Sequence, residues 1–117
     1  MYRLRLRVGL AALAAGIIIG QGAALAASAD KGKAAFVKNG CWQCHGTMGQ
    51  GGATGPKLAP DPLPVEGFTA FVRTTNRQMP PYREQILSDA DLADIHAYLA
   101  SVPKAADPKT IPLLSSP

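Results

Sequence analysis

Cys41-Trp42-Gln43-Cys44-His45 is the stretch where side chains able to do chemistry sit at a spacing that chemistry needs. It holds both cysteines of the sequence, and one of the two histidines follows the second cysteine directly. Two thiols on one turn of chain can add across the two vinyl groups of a haem, giving two thioether bonds. A histidine directly after the second is then held under the ring, where its imidazole can bind iron. This is the C-x-x-C-H pattern of c-type haem attachment. Three other chemistries use the same residue types. A thiol–disulfide oxidoreductase carries C-x-x-C, but on a βαβ framework of which the sequence gives no sign. A structural zinc site wants four ligands, and Cys41, Cys44, His45 and the distant His96 are what the chain offers. A plain Cys41–Cys44 disulfide closes a very small loop and stabilises little.

The elements that must position the motif are all helical. Asp30–Lys38 reads as a short helix ended by Asn39-Gly40. The span 46–64 contains Gly49, Gly51, Gly52, Gly55, Pro56, Pro60, Pro62 and Pro64, a density of breakers that leaves only loop. Val65–Thr75 is predicted as a helix, with Phe68, Phe71 and Val72 on one face. A loop around Met79-Pro80-Pro81 follows. Ser88–Val102 is the clearest helix: Ser88 is an N-cap, Asp91 stands where a capping box has its acid, and Leu92, Ile95, Leu99 and Val102 form the apolar stripe. Pro103 stops it, and 104–117 is expected to be a loose Pro-rich tail. There is no strand pattern and no internal repeat.

The first residues read as an address. Arg3, Arg5 and Arg7 precede an uncharged run from Val8 to Ala29, which ends in Ala24-Leu25-Ala26 and Ala27-Ser28-Ala29. Both triplets fit a small-x-small cleavage site, so residues 1–29 are expected to be a secretory signal peptide, with an uncleaved membrane anchor as the competing reading. Either way the remainder lies outside the cytoplasm, in the periplasm of a bacterium. The formal charge of +4 belongs largely to this segment. Beyond residue 29 there remain 9 basic and 8 acidic side chains, a net +1, and the case for nucleic-acid binding disappears. The remaining 88 residues are few for a stable apolar core, so a bound group is expected to supply part of it.

The span Asp30–Val102 resembles the class I, monohaem c-type cytochromes. Cys41, Cys44 and His45 match the attachment motif. Gly32 and Phe36 match the positions where the N-terminal helix crosses the C-terminal one, here Leu92–Leu99 with Tyr98 near the crossing. The resemblance implies an all-α cytochrome c fold, its N- and C-terminal helices crossing and its loops wrapped around one covalently bound haem, with residues 30–103 as the domain. Gly55-Pro56-Lys57-Leu58 resembles the family's Gly-Pro-x-Leu segment. By that likeness the Pro56 carbonyl accepts a hydrogen bond from the His45 ring, and Leu58 packs on the haem face. Met79-Pro80 resembles the distal-ligand segment, which makes Met79 the sixth ligand to iron. Met48, three residues after His45, sits on the wrong side of the ring for that role, and His96 reads as a satisfied or surface histidine. The 34 positions from His45 to Met79 are short for the family and imply a trimmed loop.

What the resemblance implies functionally is a one-electron carrier. A His/Met pair fills both axial positions, so catalysis at iron is disfavoured, and the thioether favours the ferrous state. The expected partners are redox proteins, a dehydrogenase or a terminal oxidase, with a membrane involved only if the N-terminal segment is retained. The alternatives are a haem-bearing subunit docked beside such a partner, or a peroxidase-like enzyme with an open distal site, which would require Met79 to be unligated. Seven basic residues against two acids between Lys31 and Arg83 fit either a basic rim that steers acidic partners or an ordinary solvated surface. Trp42 either edges the haem towards a partner or covers apolar surface.

Overall fold

The computed structural model describes residues 26–115. Most of the N-terminal segment read as a signal peptide or anchor lies outside these. Among the described residues the secondary structure is helical throughout: α1 (Ala29–Lys38), α2 (Trp42–His45), α3 (Val65–Thr74), α4 (Asp89–Ser101), a 3₁₀ turn (Pro108–Thr110) and α5 (Pro112–Ser115). None of these helices is long and apolar enough to cross a membrane.

The helix ends follow local chemistry. The Ser28 side chain accepts from the Lys31 amide and starts α1, with Asp30 in its first turn. The Asn39 amide closes α1 on Ala35, and Gly40 turns the chain at φ 74°. In α4 the Ser88 hydroxyl caps the Asp91 amide and is itself held by the Asp91 carboxylate (2.9 Å). Asp91 therefore buttresses the cap through the hydroxyl instead of reaching back to the Ser88 amide. Beyond α4, Asp107 caps Lys109, Pro108 opens the 3₁₀ turn, and α5 follows.

α1 and α4 cross at Gly32. A Cβ there would run into the Asp94 carbonyl and stand 2.8 Å from the Ile95 nitrogen, so only glycine lets the two backbones approach this closely. One turn on, the Phe36 and Tyr98 rings meet at 5.7 Å between centroids. The Ser28 amide donates to the Asp94 carboxylate (2.6 Å), fastening the start of α1 to the same turn of α4. Phe36, Leu87, Leu92, Ile95 and Leu99 are fully buried, and Phe68 and Val72 join them from α3. Phe71 lies on the expected shared face but is not part of the buried core. It borders the same cavity as Phe68 and Val72 yet is half exposed, because no buried side chain of the core covers it.

Candidate functional site

α1, α3, α4 and the loops between them enclose a cavity of about 1250 Å³. Cys41, Cys44 and His45 border it from α2 and its cap, Pro56 and Leu58 from the long loop, and Met79 from the loop after α3. Apolar side chains of the core form much of the remaining wall, and Lys57, Asp61 and Arg77 contribute charge. The residues singled out in the sequence thus converge on one space, although 38 positions separate Cys41 from Met79.

The motif itself forms a single helical turn. The His45 amide bonds to the Cys41 carbonyl (3.0 Å), which sets the imidazole one turn from the first sulfur. Cys44 is exposed and Cys41 half-buried, and the two are not bridged. Burial pushes the Cys41 thiol up, against a smaller lowering from a backbone hydrogen bond. The His45 ring is buried, and its Nδ1 lies 2.8 Å from the Pro56 carbonyl. A carbonyl can only accept, so Nδ1 carries the proton and Nε2 is left with the lone pair a metal needs. Gly55 makes this contact possible. A Cβ there would sit 2.7 Å from the Cys44 carbonyl and 3.0 Å from His45 Nδ1.

The competing ligands lie elsewhere. Met48 is half exposed and does not border the cavity, and its amide is tied to the Gln50 side chain. His96 donates from Nε2 to the Leu63 carbonyl (2.9 Å) and stands edge-on to Phe68, again outside the cavity wall. Trp42 is exposed and also absent from the wall. Among the described residues, no group of three or more His, Cys, Asp or Glu side chains could hold a metal ion together, which removes the zinc reading.

The loop carrying Met79 is pinned by contacts that sequence reasoning missed. The buried Thr75 reaches the Met79 carbonyl with its hydroxyl (3.4 Å). The Tyr82 amide bonds to Val72 (3.0 Å), and its hydroxyl donates to the Asn39 carbonyl (2.9 Å). Burial pushes the Tyr82 phenol up. Only the tyrosine type next to Pro-Pro marked this residue in the sequence.

The donor set fits a c-type haem: two thiols a turn apart, an imidazole with its lone pair defined, a thioether, and an apolar cavity bordered by all four. Comparison with known proteins agrees. The family described as cytochrome c oxidase, cbb3-type, subunit III matches residues 27–99, and the chain belongs to it. No curated protein matches the sequence. The domain is a c-type cytochrome with an all-α cytochrome c fold, and it carries covalently bound haem c with iron. Its function is haem-based electron transfer. Such domains are typically exported or membrane-associated, and the family includes oxidase subunits.

Proposed function

We propose, from its membership of that family, that this chain is a one-electron carrier with His45 and Met79 as axial ligands, exported to the periplasm. Cys41 and Cys44 form the two thioether bonds. His45 binds iron through Nε2, with Pro56 fixing the ring. Leu58 packs on the haem, and Met79 supplies the opposite ligand. The bound haem supplies a reversible iron(III)/iron(II) couple. The chain's own residues fill both axial sites and wrap the group in apolar side chains, so electron transfer replaces catalysis at iron. Its partners are a dehydrogenase or terminal oxidase that hands over or takes up single electrons.

The observation that carries this reading is that Met79 borders the same cavity as His45, while Met48 and His96 do not. The experiment is Met79→Ala in the haem-loaded protein. The far-red charge-transfer band of thioether-bound ferric haem should vanish, and the midpoint potential should fall. A retained band with an unchanged potential would refute the assignment.

A further inference from the structure

Arg73 makes the best-defined ion pair of the described chain, and nothing in haem attachment uses it. It sits in the last turn of α3, its side chain only 19% exposed. Nη1 donates to the Tyr82 carbonyl (2.8 Å), and Nη2 donates to an Asp89 carboxylate oxygen (2.6 Å) at the start of α4. The guanidinium is a rigid fork, so one plane serves both acceptors. The loop between Thr75 and Tyr82 carries Met79. Between Met79 and Tyr82 stand only Pro80 and Pro81, whose rings fix φ. Holding Tyr82 therefore holds Met79 through a stiff two-residue spacer. On the far side the Tyr82 hydroxyl grips the Asn39 carbonyl, two residues before Cys41.

We propose that Arg73 is a positioning residue for the distal ligand: by clamping the Tyr82 carbonyl it keeps the Met79 sulfur at the haem and excludes competing ligands. The inference rests on Met79 being that ligand. Asp89, two-thirds exposed, orients the fork and contributes little directly.

The test is imidazole binding to the ferric, haem-loaded protein, because imidazole takes the distal site only when the thioether leaves it. Losing a hydrogen bond from a charged donor shifts a local opening equilibrium by roughly ten- to a hundredfold. Arg73→Ala should tighten imidazole binding by about tenfold or more, and weaken the far-red band as the loop opens. Arg73→Lys, which can reach the Tyr82 carbonyl but not both acceptors at once, should fall between. Asp89→Asn should change affinity by under about threefold. Ser28→Ala, which destabilises α1 far from this loop, should leave it unchanged. Wild-type imidazole affinity in Arg73→Ala overturns the clamp, as does an equal tightening in Ser28→Ala, which would make the effect one of global stability. Met79→Ala separates the two readings. If it binds imidazole like the wild type, the ligand assignment itself has failed. If it binds more tightly while Arg73→Ala does not, only the clamp has failed.

Discussion

Replacing Gly32 with alanine sets two effects of known sign against each other. Helix propensity favours the change: alanine in a helix interior gains about 1 kcal/mol over glycine. Packing opposes it. The new Cβ would overlap the Asp94 carbonyl and lie 2.8 Å from the Ile95 nitrogen, and both obstacles are backbone that cannot swing aside. A carbon needs about 3.5 Å, so α4 must retreat from α1 by on the order of 1 Å. A gap of that size forfeits roughly a quarter to a half of the dispersion between facing atoms. The Phe36–Tyr98 ring pair, at 5.7 Å, stands to lose about 1 kcal/mol beyond buried area. The fully buried Phe36 and Leu99 lose contacts on top of that, about 1–2 kcal/mol together. The Ser28–Asp94 hydrogen bond adds about 1 kcal/mol more. Packing wins by about 2–3 kcal/mol, a fall in Tm of roughly 10–20 °C for a domain this small. The assay is thermal unfolding of the haem-loaded protein followed by far-ultraviolet circular dichroism. An unchanged or raised Tm would show that propensity, not helix approach, governs this position and would refute the crossing geometry.

A mature chain beginning at Ala27 keeps the Ser28 cap and its bond to Asp94, whereas one beginning at Asp30 loses both. The shorter form should unfold about 1–2 kcal/mol sooner, and equal denaturant midpoints would show that the cap contributes nothing. Gly55→Ala pushes a methyl group between the Cys44 carbonyl and His45 Nδ1. It should cost about 1–3 kcal/mol and lower the guanidinium midpoint of the change in haem absorbance. An unaltered titration would mean that the Pro56 contact does not hold the ring.

The helices were legible because their signals are local. Ser88, the Leu92–Ile95–Leu99 stripe and Pro103 lie within a few residues of what they determine, and α4 runs between them. α2 was not legible as a separate helix, since its four residues all belong to the motif and no side chain caps it. α5 escaped because four residues are too few to show a period, although Asp107 and Pro108 announce the turn before it. Phe71 shows the limit of periodicity. Spacing puts it beside Phe68 and Val72, but which ring is covered depends on where the cavity opens, and that is a tertiary fact. The convergence of Cys41, His45 and Met79 was readable only through resemblance to a family, because spacing says nothing about which loop returns to which turn. The clamp at Arg73 was unreadable. Its partners lie 9 and 16 positions away, across a loop whose path no local rule dictates.

Cofactor and core are one structure here. Among the described residues the largest fully buried side chains, Phe36, Leu87, Leu92, Ile95 and Leu99, all border the cavity, so the apolar interior is a shell built around the haem site. A chain this short buries too small a fraction of its surface to rest comfortably on side-chain packing alone. Haem c contributes a large rigid apolar surface to that shell. Stabilisation by a group that binds only the folded chain is a linkage effect, and for a reversible ligand it would vary with concentration. Covalent attachment removes that dependence, because the group is never dilute with respect to its own chain. It also leaves the noncovalent contacts a narrower task than retention. The Pro56 carbonyl orients the His45 ring, and Tyr82 orients the loop that bears Met79; under the proposed ligation these contacts hold directions instead of holding the group, and direction is what an electron carrier must conserve between its two oxidation states.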